Sequence, residues 1–259
     1  MKKLFMNKDL KVLYYYLINP KLRYQFYLIC KRKVLNLLFF NVVNKKKITF
    51  SNVKILSKKQ VYKLLNIKEV INPQKKYIDI FNQQKNSINN NPYKFGGAGD
   101  IEILYNISKD TKIKNILETG VANGWSSLAI LLSIKDDKNK FLTSIDLPYP
   151  FKNSEKYIGL AVPENLKHKW NLIIDDDKKI MNNFMLQGKK FDFVHYDSDK
   201  SYEGRMKSYN LIWQLLSSNG LLVSDDVSDN TAFVDFANKT KVKYYIYKFE
   251  TKFIGIIQK

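Results

Sequence analysis

Five short apolar runs, each closed by a carboxylate at or just past its end, recur between residues 115 and 225. They are Asn115 to Thr119, Phe141 to Ile145, Asn171 to Ile174, Phe191 to His195 and Leu221 to Ser224. The carboxylates are Glu118, Asp146, Asp176, Asp197 and Asp225. Between the runs, Trp125 to Ile134, Lys179 to Leu186 and Tyr202 to Ser217 carry helical patterns, and Ser154 to Lys167 is helical in part. Repeated strand–helix units imply a parallel sheet with helices on both faces. Val242 to Tyr247 and Phe253 to Ile257 follow the helical stretch Thr231 to Asn238 and read as a closing pair of strands. The expected fold is a doubly wound α/β sheet, mostly parallel, with an antiparallel strand near the C-terminus.

Composition narrows the classes further. The 259 residues are 45% hydrophobic and 26% charged, the balance of a folded globular chain. No apolar run approaches the ~18 residues that span a bilayer. Cys30 is the single cysteine, and His168 and His195 are the two histidines, which excludes a disulfide scaffold and argues against a Cys/His zinc site. Lysines interrupt the first apolar residues and no small-residue cleavage site follows, so no secretory leader is expected and the expected location is cytoplasmic.

The net charge of +20 is unevenly placed. Residues 1–95 carry 21 Lys and Arg against 3 Asp and Glu, whereas residues 96–259 carry 23 against 21. A Lys-, Asn- and Ile-rich usage of the kind an AT-rich genome gives accounts for part of this. Leu13, Leu17 and Ile18, and again Leu35, Leu38 and Phe39, sit at helical spacing, with Pro20 at a helix boundary. The polar stretch Gln83 to Tyr93 reads as a linker, and Gly96 and Gly97 follow it. Residues 1–90 are thus expected to form a basic, mainly helical extension and linker, and residues 91–259 the α/β domain.

In open α/β sheets the ligand crevice lies outside the strand C-termini, where the five carboxylates converge. The most specific segment is Glu118-Thr119-Gly120-Val121-Ala122-Asn123-Gly124-Trp125-Ser126-Ser127. Glycines after a strand allow a tight turn and close approach to a ligand, and the next helix offers free N–H groups. The spacing is neither a GxGxxG fingerprint nor a Walker loop. It resembles motif I of the class I S-adenosylmethionine-dependent methyltransferases, with their Rossmann-like sheet. Gly159-Leu-Ala-Val-Pro-Glu-Asn-Leu, Trp170-Asn-Leu-Ile-Ile, the stretch from Phe191 to Tyr202, and Gly220-Leu-Leu-Val-Ser-Asp-Asp-Val are similar to one group of them. That group comprises metal-dependent O-methyltransferases acting on sugars and on catechol-like or caffeoyl-type hydroxyls. The resemblance spans residues 95–259.

The resemblance implies roles position by position. Glu118, Thr119, Gly120, Asn123, Gly124, Trp125 and Ser126 would hold the methionine part of S-adenosylmethionine. Asp146 would bind the ribose hydroxyls, and Asp176 would lie near the adenine. Asp197, Asp225 and Asp226 would hold a divalent metal, for which Mg²⁺ is the expected ion because hard carboxylates suit it. Many relatives have His where this chain has Lys200, although some caffeoyl-type relatives share Asp-x-Asp-Lys. Asp197 and Lys200 are the expected catalytic pair, with the identity of the base open, since Lys200 serves only if its pKa is depressed. His195 reads as a strand residue facing the core or a neighbouring helix, and Tyr202 as a pocket or core residue.

The expected reaction is methyl transfer to a hydroxyl of a small molecule or glycan, most naturally a sugar or glycoconjugate. Two rivals stand beside it: a nucleic-acid methyltransferase guided by the basic segment, and a non-catalytic module that keeps the cofactor fold. The lack of an Asn-Pro-Pro-Tyr-type motif counts against base N-methylation. Three roles are open for the extension: a cap over the acceptor pocket, a helix pair on an anionic membrane surface through residues 1–50, or a nucleic-acid grip. The oligomeric state is open as well.

Overall fold

A computed structural model describes residues 8–38, 50, 53–89, 91 and 95–259. In chain order the elements are α1 (Lys8–Ile18), α2 (Pro20–Leu38), β1 (Ile55–Leu56), α3 (Lys58–Leu64), α4 (Pro73–Lys76), α5 (Ile78–Asn89), α6 (Ile101–Ser108), β2 (Asn115–Thr119), α7 (Trp125–Ile134) and β3 (Phe141–Asp146). They continue with β4 (Trp170–Ile174), α8 (Asp177–Leu186), β5 (Phe191–Tyr196), α9 (Tyr202–Leu215), β6 (Leu216–Ser224), α10 (Ala232–Thr240), β7 (Tyr244–Phe249) and β8 (Lys252–Gln258). Two short 3-10 turns, Ser154–Tyr157 and Glu164–Lys169, lie between β3 and β4.

The strands form one sheet in the order β1-β7-β8-β6-β5-β2-β3-β4. All pairings are parallel except those of β8, which runs antiparallel to both β6 and β7. Successive strand residues point to opposite faces. Ile116, Phe193, Val223 and Ile256 therefore enter one core, and Leu117, Val194, Leu222 and Ile257 the other. The first core is covered by α3, α5, α6 and α7 through Val61, Phe81, Leu104 and Leu128, and the second by α8, α9 and α10 through Phe184, Ile212 and Phe236. Burying each such side chain stabilises the fold by about 1.5–3 kcal/mol. This is the Rossmann-like arrangement expected from the alternation.

The chain winds outward from β2 through β3 to β4, then returns to place β5 on the other side of β2. Such a reversal opens a crevice at the strand C-termini. Thr119 pairs with Ile145 of β3 and Tyr196 of β5, so the loops after these three strands emerge side by side.

Three expectations need correction. The strand expected at Leu221 starts at Leu216, which pairs with Phe191 across a register shift. The expected linker is helical as far as Asn89, because Phe81, Gln84 and Ile88 form one stripe that packs inward. The expected division at residue 90 is not a packing boundary either. β1 pairs with β7, and Lys58 reaches both Asp100 (2.9 Å) and Glu102 (3.0 Å) of the α6 start. Glu102 accepts from the Tyr62 hydroxyl at 2.6 Å and from the Asn72 side-chain amide at 2.9 Å. Residues 53–89 thus share their core with the sheet. Accordingly Phe81→Ala should cost about 3–5 kcal/mol, seen in urea unfolding as one lowered transition; an unchanged midpoint would restore a boundary near 90.

Pro20 does begin a new helix, and the Asn19 side chain accepts from the Lys21 N–H at 3.1 Å. Phe39 and the Lys45 to Lys47 run lie outside the described residues.

Candidate active site

The loop after β2 is shaped by backbone that only small residues allow. Gly120 has φ +86°, and a Cβ there would overlap the carbonyl of Asp197. Gly124 has φ +87°, with Gly159 Cα 2.8 Å from where its Cβ would stand. The loop is then tied outward: the Ala122 carbonyl accepts from Gly159 N–H (2.9 Å) and the Asn123 carbonyl from Ala161 N–H (2.8 Å). Asp146 ties it inward. One of its oxygens accepts from the N–H groups of Val121 (3.0 Å) and Ala122 (2.8 Å), and the other from Leu147 (2.8 Å). Desolvation pushes the Asp146 carboxyl up and these backbone bonds pull it down; with the nearby Glu118 charge the balance is a rise to about 6.

A cavity of about 420 Å³ opens against this loop. Gly120, Asn123, Gly124, Trp125, Ser126, Asp146, Asp176, Asp197 and Lys200 border it. Trp125 also stacks on Phe81, ring centroids 5.7 Å apart and planes within 6°. Asp176 caps α8, accepting from the Lys179 N–H at 2.8 Å. Tyr16, Tyr24 and Gln25 of α1 and α2 complete the cavity's lining. Tyr149 adds an aromatic wall: it stacks on Phe95 at 4.1 Å, with Phe151 beside both. These aromatics sit in segments without periodicity, so no sequence signal marked them.

Glu118 and Thr119 do not border the cavity. Both are fully buried beneath the loop. The Glu118 carboxylate accepts from Ser127 and from Ser144 (2.7 Å), and Ser144 in turn accepts from the Trp170 indole N–H (2.8 Å). His195 Nδ1 lies 3.5 Å from Glu118 and its Nε2 lies 3.7 Å from Asp225. Both separations exceed hydrogen-bond length, so these are charge contacts. Burial alone would lower the imidazole pKa, but the two carboxylates outweigh it and raise it to about 9. Burial would likewise raise Glu118, yet His195 and the serines hold it below its ordinary value. His195 of β5 thus stands between Glu118 of β2 and Asp225 just after β6, beyond the packing role read from the sequence. Tyr202 packs on the second core, outside the cavity lining.

Asp197 and Asp226 come from different strand ends and meet at one cationic point. The Lys200 ammonium bonds to Asp197 and, at 2.8 Å, to Asp226. Lys252 stands 3.4 Å from the other Asp226 oxygen. Burial lowers the Lys200 pKa against the pull of Asp226. Asp225 does not join them, because its carboxylate turns inward to His195. Among the described residues no group of three or more His, Cys, Asp or Glu side chains is placed to hold a metal ion, and of the expected trio Asp197 and Asp226 share Lys200. Sequence reasoning missed the residue that shapes this turn. Arg205 of α9, fully buried, donates to the carbonyls of Asp225 (3.2 Å) and Asp226 (2.9 Å), where Asp226 has φ +53°. The available signal was scarcity: the chain has three arginines, and this one lies in the first turn of the helix that follows β5.

A doubly wound sheet, a glycine loop anchored by the acid of the next strand, and a cavity against both make up the candidate site. Residues 117–227 match the model of a family described as a methyltransferase domain. The Dictyostelium discoideum protein named "Probable caffeoyl-CoA O-methyltransferase 3" is 29% identical over 153 residues, 58% of this chain and 58% of that protein. The caffeoyl-CoA O-methyltransferase of Stellaria longipes is 26% identical over 142 residues, 52% of this chain and 56% of that one. The chain thus spans little more than half the length of these curated relatives. The crystal structure of a Bacillus cereus O-methyltransferase in complex with SAH shares the fold, with TM-score 0.55 and 13% identity over 78% of this chain and 96% of that one. Over residues 117–227 the chain is similar to a methyltransferase domain, and the curated relatives it resembles are named caffeoyl-CoA O-methyltransferases. No helix among the described residues is long and apolar enough to cross a membrane.

Proposed function

We propose that the protein moves the methyl group of S-adenosylmethionine to a hydroxyl oxygen of a sugar or glycoconjugate, with a divalent cation, Mg²⁺, assisting. The observation that carries this reading is the direct contact between its two halves. Gly120 of the loop proposed to hold the methyl donor packs against the backbone of Asp197, whose carboxylate would serve the acceptor.

The residues fit both groups. The left-handed turns at Gly120, Ala122 and Gly124 leave a cradle free of side-chain bulk, with the partnerless Asn123 Oδ1 inside the loop. Asp146 keeps one of its four lone-pair sites, on the oxygen that also accepts from Leu147, for a ribose hydroxyl. Asp197 and Asp226 already share one cation, the Lys200 ammonium, and offer the hard oxygens a divalent metal prefers. Such a metal would supply a Lewis acid that makes the acceptor hydroxyl easier to ionise. Lys200, whose pKa burial lowers, stands where a base for the hydroxyl proton would act, which requires that it give up its own proton first. The cleft would align oxygen, methyl and sulfur, and alignment supplies much of the rate in an in-line displacement. The aromatic wall of Phe95 and Tyr149 supports a ring-shaped acceptor that stacks one face.

The test is transfer of labelled methyl from S-adenosylmethionine to a panel of sugars, glycoconjugates and catechols. The expected result is product that EDTA suppresses and Mg²⁺ restores. Label in RNA alone would favour the nucleic-acid rival, and cofactor binding with no product the non-catalytic one. The Asp146 carboxyl adds a pH signature. Its raised pKa means that it protonates as pH falls through about 6, and a protonated acid is a poorer acceptor for ribose hydroxyls. Cofactor affinity should therefore fall roughly tenfold between about pH 7 and pH 5, measured by calorimetric titration; a flat profile would remove Asp146 from the ribose site.

A further inference from the structure

The α1–α2 pair has two faces, and the cavity uses one. On α1, Val12, Tyr15, Tyr16 and Asn19 (the residue after it) are half-buried, and Tyr16 reaches the cavity and stacks on Phe26 of α2. On α2, Leu22, Gln25, Phe26 and Ile29 lie on the corresponding inward stripe. The opposite face of α1 holds Leu10, Leu13, Tyr14, Leu17 and Ile18, spaced i, i+3, i+4, i+7, i+8. All five are exposed, by 39% to 53% of their surface. α2 continues the outer surface with exposed Arg23, Tyr27, Lys31 and Val34. Isolated exposed leucines need no explanation, but a full helical stripe of them does.

We propose that this outer face seats on an anionic lipid surface. The charge decides between occupants. Residues 8–38 carry seven Lys and Arg against one Asp. A second copy would bring like charges together across the face. A nucleic acid would answer the cations but not the Leu and Ile side chains, since it is gripped through phosphates and stacked bases. An anionic bilayer answers both: aliphatic side chains enter the acyl boundary, tyrosines lie at the headgroups and lysines meet the lipid charge. Because the inner face lines the cavity, seating would hold the roof of the site at the bilayer.

The test is flotation of the full chain with vesicles of phosphatidylcholine alone or with about one-third phosphatidylglycerol. The expected result is at least tenfold more bound protein on the anionic vesicles, falling as salt rises. The double variant Leu13→Glu/Leu17→Glu should lose that binding at least tenfold while keeping native circular dichroism and cofactor binding. If that variant misfolds, Lys11→Glu/Lys31→Glu serves, with the same loss expected. Equal recovery with both vesicle types, or undiminished binding by the variant that folds, would overturn the proposal. So would a dimer in sedimentation, or RNA binding, that disappears in the folded variant while vesicle binding does not.

Discussion

Asp197→Ala is expected to lower kcat by about 10²–10³-fold while leaving S-adenosylmethionine affinity within about twofold. The loop proposed to hold the cofactor meets the Asp197 backbone, through Gly120 and the Thr119 carbonyl, and in the proposed arrangement the Asp197 side chain serves the acceptor. Removing it leaves Lys200 with Asp226 alone, so the shared cationic point loses half its anionic charge. Any divalent cation there would bind more weakly for the same reason. Asp226→Ala should behave alike, and the double variant should be little worse than either single one, since residues acting as a unit are not additive. Steady-state kinetics with a separate binding titration decides the matter. A variant that loses cofactor affinity and keeps kcat would place Asp197 on the wrong side of the reaction.

Gly120→Ala should reduce cofactor affinity by at least about 100-fold and cost roughly 2–4 kcal/mol of stability. Two effects add. The left-handed backbone disfavours a Cβ, and the Cβ would collide with the Asp197 carbonyl. Neither loop can easily retreat, because Gly120 N–H donates to Ile145 (2.9 Å) and Asp197 N–H to Thr119 (2.8 Å). Relief would therefore separate the two proposed half-sites. Chemical denaturation and calorimetric titration read the two effects independently. Lost stability with unchanged affinity would mean that the loop does not cradle the cofactor.

The parallel sheet was legible because each strand announces itself twice, by an apolar run and by the acid that ends it. The loop after β2 was legible for a similar reason: glycine spacing reports backbone directly. Other features leave no such mark. β1 is two residues long, too short for any alternation to show. α5 is written in Asn and Gln, and its single inward stripe of Phe81, Gln84 and Ile88 is diluted by polar neighbours. The pair Asp225-Asp226 looks like one acidic unit in sequence. Arg205 fixes the turn so that the first side chain points in and the second out, and that division depends on a residue about twenty positions earlier. The two faces of α1 are hard to tell apart in sequence because both are rich in apolar residues.

The three tryptophans are placed in a way that makes the protein its own spectrometer. Trp125 borders the cavity, and Trp170 lies against Gly159, the partner of the Gly124 turn, with its indole N–H on Ser144. Trp213 sits on α9 against Phe236, among the second core's helices. Two emitters thus flank the glycine loop and the third provides a steady background. Intrinsic fluorescence can follow the loop in the unlabelled protein, and a single Trp213→Phe change would leave only light that comes from beside it.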